Sequence, residues 1–150
     1  MLNKNDKVPD IKIGDYEGNV HSLASLNKTI LFFYPKDNTP GCTQQACNAR
    51  DYYAEIVSLG WDIMGISPDS GKSHNSFASK LSLPYKLLSD TDRLAANSFG
   101  VIREKSLYGK LFKGVSRTTF AVDNGKILMV WENVSPKTHS QNVIEWIKIQ

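Results

Sequence analysis

The chain holds two cysteines, Cys42 and Cys47, in the segment Thr39-Pro40-Gly41-Cys42-Thr43-Gln44-Gln45-Ala46-Cys47. The apolar run Thr29-Ile30-Leu31-Phe32-Phe33-Tyr34 comes before them. A buried strand is therefore expected to enter a Pro/Gly turn and deliver Cys42 to the first turn of a helix. Free backbone N–H groups and the positive end of the helix dipole favour an anion there, so a thiol becomes a thiolate. The thiolate is the nucleophilic and oxidisable form of cysteine.

Helix geometry constrains what the pair can do. Residues five apart on a helix are rotated by ~140° and their Cα atoms stand roughly 8–9 Å apart. A disulfide needs about 4.4–6.8 Å. Bonding between the two thiols therefore requires the first helical turns to unwind. Three uses compete. Two incidental cysteines are disfavoured by the Pro-Gly turn placed ahead of a helix. A metal site lacks short-spaced partners, because His21, His74 and His139 are scattered and read as surface or cap-region residues. A redox pair, one thiol oxidised and the second resolving it, fits best.

The rest of the composition narrows the classes. The chain has 150 residues, 41% hydrophobic and 22% charged, the profile of one globular domain spanning 1–150. A net charge of +3 with scattered Lys and Arg argues against nucleic acid or an anionic membrane surface. The N-terminus lacks the apolar core of a signal peptide, and no apolar run reaches the ~20 residues that span a bilayer. Two cysteines are too few for a secreted disulfide framework, so a cytoplasmic protein with reduced thiols is expected.

Strand and helix patterns alternate along the chain. Ile11–Ile13 and Val20–Leu23 suggest a short hairpin, followed by a strand at Ile30–Tyr34. A helix over about Cys42–Leu59 should present Ala46, Ala49, Tyr53, Ile56 and Val57 inward and end at Gly60. Trp61–Ser67 reads as a strand, Phe77–Leu81 as a short helix, Leu87–Asp90 as a strand and Leu94–Phe99 as a helix closed by Gly100. Thr118–Val122 and Ile127–Trp131 flank Asp123-Asn124-Gly125-Lys126, a strong hairpin turn. A last helix starts near Thr138, with Gln141 placed for a capping box, and turns Val143, Ile144 and Ile147 inward. The order implies an α/β protein with a mixed central sheet flanked by helices, and a thioredoxin-like fold satisfies it.

The segment Phe33-Tyr34-Pro35-Lys36-Asp37-Asn38-Thr39-Pro40-Gly41-Cys42-Thr43, with Cys47 and Arg50-Asp51 after it, resembles the active-site segment of peroxiredoxins. The subgroup it looks like is the bacterioferritin comigratory protein, or Q-type, peroxiredoxins. Gly65–Ser70, Ser73-His74, Leu87–Asp90, Gly114–Asp123 and Val134…His139 fit the same pattern, so the resemblance runs from about residue 8 to 149. One departure is Ala49, where the family usually has an aromatic residue.

The resemblance implies a thiol peroxidase acting on hydrogen peroxide and alkyl hydroperoxides, without metal, flavin or haem. It implies that Cys42 is the peroxidatic thiol, attacking peroxide and becoming a sulfenic acid, and that Cys47 is the resolving thiol in an intramolecular disulfide. Pro35 would shape the pocket, Thr39 would hydrogen-bond thiolate and substrate, and Arg117 would activate Cys42 and bind peroxide. Thioredoxin or a similar donor would reduce the disulfide, and the subgroup's habit implies a monomer. Ionisation alone is insufficient: taking a thiol pKa from ~8.5 to ~6 gains only ~30-fold in thiolate, about 2 kcal/mol. Donors must also stabilise the leaving oxygen. Read singly, Arg117 could be a surface ion-pair residue, Thr39 a cap, and Arg50 a partner for Asp51 or Glu55. The rival functions are a thioredoxin-type disulfide oxidoreductase, which would want Cys-x-x-Cys, and a redox sensor using the same thiol switch.

Overall fold

The computed structural model describes residues 1–150. Its elements are β1 (Lys12–Gly14), β2 (Val20–Ser22), β3 (Thr29–Phe33), α1 (Pro40–Ser58), β4 (Asp62–Ser67), α2 (Gly71–Leu81) and β5 (Lys86–Ser89). They continue with α3 (Leu94–Phe99), β6 (Ile102–Leu107), β7 (Lys110–Val115), β8 (Thr118–Asp123), β9 (Lys126–Trp131) and α4 (His139–Lys148). The central sheet has five strands in the order β5-β4-β3-β8-β9. The pairs β3–β4 and β4–β5 are parallel, while β3–β8 and β8–β9 are antiparallel. This is the expected mixed sheet with helices on both faces. No helix is long and apolar enough to cross a membrane.

Strand β3 is central and buried along its length, which is why it reads as a continuous apolar run. Its side chains alternate between two cores. Ile30 and Phe32 join Ala46, Ala49 and Ile56 of α1, Phe77 of α2 and Val143 and Ile147 of α4. Leu31 and Phe33 face the opposite side, with Ala95, Ala96 and Phe99 of α3 and with Phe120 and Val122 of β8. The expected N-terminal hairpin forms from β1 and β2. Gly60 ends α1 at φ 86°, the left-handed conformation anticipated for it.

Four points depart from the sequence reading. Val57, placed on the inward stripe of α1, is exposed. The ribbon β6–β7 was not anticipated. It pairs Ile102 with Val115 through Leu107 with Lys110, outside the central sheet. Its residues are mostly exposed on both faces, so no apolar alternation marks it. The capping box at Thr138 does not form, since Thr138 makes no side-chain cap bond. Asn48 of α1 does that work instead: its Oδ1 accepts the Ser140 N–H at 2.8 Å and its Nδ2 donates to Gln141 Oε1 at 2.9 Å. Finally, His74 and His139 are fully buried rather than at the surface, each held by a polar network.

Candidate active site

Thr39 is the N-cap of α1 and Pro40 its first residue. Proline suits that position because its missing N–H would have no helical partner. The first helical backbone bond is Thr43 N–H to Thr39 C=O, 2.8 Å. By helix geometry the N–H groups of Gly41 and Cys42 then lack intrahelical acceptors and point out of the helix start. Cys42 is buried on the stripe that also carries Gln45, Ala46 and Ala49. Both cysteines are free, with Cys47 half-buried on the same unbroken helix.

Arg117, in the loop between β7 and β8, reaches across 75 positions of sequence to donate from Nη1 to Cys42 Sγ at 3.2 Å. The same nitrogen donates to Gln45 Oε1 at 3.0 Å. Gly41 makes room for the guanidinium: a Cβ there would lie 2.6 Å from Arg117 Nη2. The Arg117 carbonyl accepts Val134 N–H at 3.0 Å, fixing the loop. A second cation stands close by. Lys105 donates from Nζ to the Val115 carbonyl at 2.6 Å. Burial lowers its pKa first and Arg117's charge lowers it further, while Cys42 acts in the opposite sense.

The remaining sequence candidates fall around this pair. Thr39 donates its hydroxyl to the Lys36 carbonyl at 2.9 Å and not to Cys42. Pro35 is half-buried at the end of β3, ahead of the site loop. Arg50 donates to Asp51 Oδ1 at 3.1 Å and to the Leu81 carbonyl at 2.8 Å, so Asp51 is its carboxylate partner. Ala49 is wholly buried in the core.

Sequence reasoning missed two polar clusters. In the first, Gln45 and His139 lie behind Arg117, with Gln45 Nε2 3.4 Å from His139 Nδ1 and Thr119 Oγ1 2.8 Å from His139 Nε2. Gln45, Thr119 and His139 are all buried. Burial pushes the His139 pKa down to about 4, so its ring is neutral near pH 7. The second cluster anchors the loop carrying Pro35 and Thr39. Asp37 accepts hydrogen bonds from Tyr34 Oη at 2.6 Å and Ser73 Oγ at 2.8 Å, and meets His74 Nδ1 at 2.7 Å. The Asp37 N–H donates to Asp69 at 2.9 Å. One ligand atom each from Asp37, Asp69 and His74 lie within 4.8 Å of one another, but hydrogen bonds from the protein already occupy them. The histidine signal was available in Ser73-His74, yet only the folded chain shows which carboxylate it meets.

An oxidisable thiol under an arginine, at a helix start in a thioredoxin-like sheet, defines a peroxide-reducing thiol site. The family comparison agrees. Residues 5–130 match the AhpC/TSA family. Among curated relatives, a bcp peroxiredoxin of Coxiella burnetii is 43% identical over 92% of this chain and 93% of its own length. Peroxiredoxin Bcp of Escherichia coli strain K12 is 37% identical over 98% and 96%. Among solved structures, Xanthomonas campestris peroxiredoxin Q superposes with a TM-score of 0.90 at 30% identity, covering 99% of this chain and 98% of that one. A second structure, of the X. campestris bacterioferritin comigratory protein, concerns that protein's alkyl peroxide reduction activity; it gives a TM-score of 0.89 at 30% identity over 99% and 98%. The chain belongs to the AhpC/TSA family and is a thiol peroxidase, a peroxiredoxin of the Bcp and PrxQ kind.

Proposed function

We propose that this chain reduces alkyl hydroperoxides and hydrogen peroxide through Cys42, with Cys47 as the resolving thiol and a thioredoxin-type dithiol as reductant. The Cys42 thiolate attacks the terminal peroxide oxygen and the O–O bond breaks. The departing alkoxide takes the electron pair and a proton to leave as alcohol or water, and Cys42 becomes a sulfenic acid. Arg117 and the free N–H groups of Gly41 and Cys42 stabilise the charge moving onto the leaving oxygen. Pro35 shields the thiol. Thr39, once rotated away from Lys36, supplies a hydroxyl to the peroxide. The Cys47 sulfur then displaces water from the sulfenic acid to form the disulfide, which the dithiol exchanges back to two thiols.

The observation that carries this reading is the 3.2 Å approach of Arg117 Nη1 to Cys42 Sγ. Both cysteines and the arginine come from one chain, so a monomer suffices for the cycle. A cycle that needs a dithiol donor suits the reducing cytoplasm. The test is peroxide consumption coupled to thioredoxin and its reductase. Cys42→Ser should abolish turnover, and Cys47→Ser should reduce about one equivalent of peroxide and then stall. Undiminished turnover in Cys42→Ser removes the assignment. Normal cycling in Cys47→Ser removes the resolving role.

A further inference from the structure

The hydrogen-bond partners around Arg117 dictate where each proton sits. A guanidinium can only donate, so the Gln45 atom facing Arg117 Nη1 at 3.0 Å is the carbonyl oxygen. The amide nitrogen of Gln45 therefore faces His139 Nδ1, 3.4 Å away. An amide nitrogen also only donates, so His139 Nδ1 must carry a lone pair. The ring proton is then on Nε2, from which it reaches Thr119 Oγ1 at 2.8 Å. The chain Thr119, His139, Gln45, Arg117, Cys42 is thus ordered from end to end, and it closes only when His139 is neutral.

We propose that His139 is a positioning residue for peroxide reduction, holding the Gln45 amide so that its oxygen, not its nitrogen, receives Arg117. A proton on Nδ1 would set donor against donor. The Gln45 amide would flip to find an acceptor and present its nitrogen to the guanidinium, which would lose its second anchor and its aim at Cys42. The 3.4 Å contact is long, so its orienting effect is worth at most about one hydrogen bond. Gln45 comes from α1, Thr119 from β8 and the Phe32 ring, 5.5 Å from the imidazole, from β3. None of these is charged. The charged neighbours are Arg117 beyond Gln45 and Glu132, which lines the same cavity of about 190 Å³ as His139. Burial among uncharged groups keeps the ring neutral, with a pKa of about 4.

The inference rests on the peroxidase reading of Cys42, but its first test needs no turnover. The His139 ring is titrated by NMR in the wild type and in Gln45→Glu. The glutamate still accepts from Arg117 with one oxygen, while its other oxygen faces Nδ1 and demands a proton there. The His139 midpoint should rise to about 6.5 or above. A midpoint that stays below about 6 overturns the proposal, whatever the activity of Cys42. The second test is the single-turnover rate of Cys42 with hydrogen peroxide. His139→Leu should lower it about tenfold, and His139→Asn, which restores an acceptor at the δ position, should recover most of that loss. Wild-type rates in both variants overturn the proposal. If His139→Leu does not fold, the Gln45→Glu titration decides.

Discussion

His74 Nδ1 lies 2.7 Å from Asp37 Oδ2 with both side chains sealed from solvent. His74 Nε2 is 3.0 Å from the Leu88 carbonyl, so that nitrogen carries a proton. Asp37 receives further bonds from Tyr34 and Ser73. The pair ties the loop entering α1 to α2 and β5, and it does so ahead of Cys42 in the chain. The unwinding that the proposed disulfide requires thus begins after a fixed point.

Removing His74 takes the imidazole from a sealed pair and leaves the buried Asp37 carboxyl with only the Tyr34 and Ser73 hydroxyls as side-chain partners. His74→Leu should therefore lower the unfolding free energy by about 3–5 kcal/mol, measured by urea denaturation of the reduced protein. A loss under about 1 kcal/mol would mean that the loop is held by something other than this pair.

Gly41 offers a gentler probe of the reacting centre. An added methyl would meet Arg117 Nη2 at 2.6 Å, and a flexible side chain can retreat from it without unfolding the protein. The retreat moves the guanidinium off Cys42. Gly41→Ala should therefore melt within a few degrees of wild type yet reduce peroxide about 100-fold more slowly, the usual cost of a misplacement near 1 Å. Stopped-flow oxidation of Cys42 measures the rate, and an unchanged rate would show that Arg117 tolerates the shift.

The reach of the sequence is uneven for physical reasons. The central strands and α1 were legible because burial on one or both faces writes itself as periodicity, as Ile30 to Phe33 and the Cys42, Ala46, Ala49 stripe do. The ribbon β6–β7 was not legible: its two faces are both largely exposed, and only Tyr108-Gly109, at φ 52° and 76°, marked a turn. The pairing of Arg117 with Cys42 was read through resemblance, since nothing in the spacing of 75 positions joins them. Asp37, His74 and His139 fell within the matching segments without a role, and Gln45 was not singled out, because a polar residue destined for the interior looks like any surface residue until its partners are placed. Asn48 shows the same blindness, capping α4 from another helix in place of Thr138.

Acid should expose the contribution of Asp15. Burial by itself would raise its carboxyl, but the contact from His21 Nε2 at 2.7 Å and the N–H groups of Glu17 and Asn19 outweigh it, and the pKa falls below 3.8. A folded pKa below the unfolded one stabilises the protein above the unfolded value, and that stability is lost as pH falls through the folded value. Asp90, raised mainly by its burial, contributes with the opposite sign, but it cancels when wild type is compared with Asp15→Asn. The variant should be less stable at pH 7, and the gap should close as pH drops below about 4. Urea unfolding at a series of pH values checks this, and a gap that stays constant into acid would assign the effect to packing alone.

The Cys42–Cys47 disulfide proposed above requires α1 to unwind, and Tyr85 opposes that unwinding. Its buried hydroxyl donates to the Ala46 carbonyl at 2.9 Å, on the turn between the two cysteines. Just beyond, Asn48 is committed to capping α4, which favours unwinding toward the N-terminal side of Cys47. Tyr85→Phe removes the tether while keeping the ring against Phe32 and Tyr53. One buried hydrogen bond is worth about 1 kcal/mol, so the unwound population and the rate of disulfide closure after a single peroxide pulse should rise about fivefold. Loss of thiols in quenched samples follows the closure. A rate equal to wild type would place the melting boundary before Ala46, confining the rearrangement to the single turn that carries Cys42.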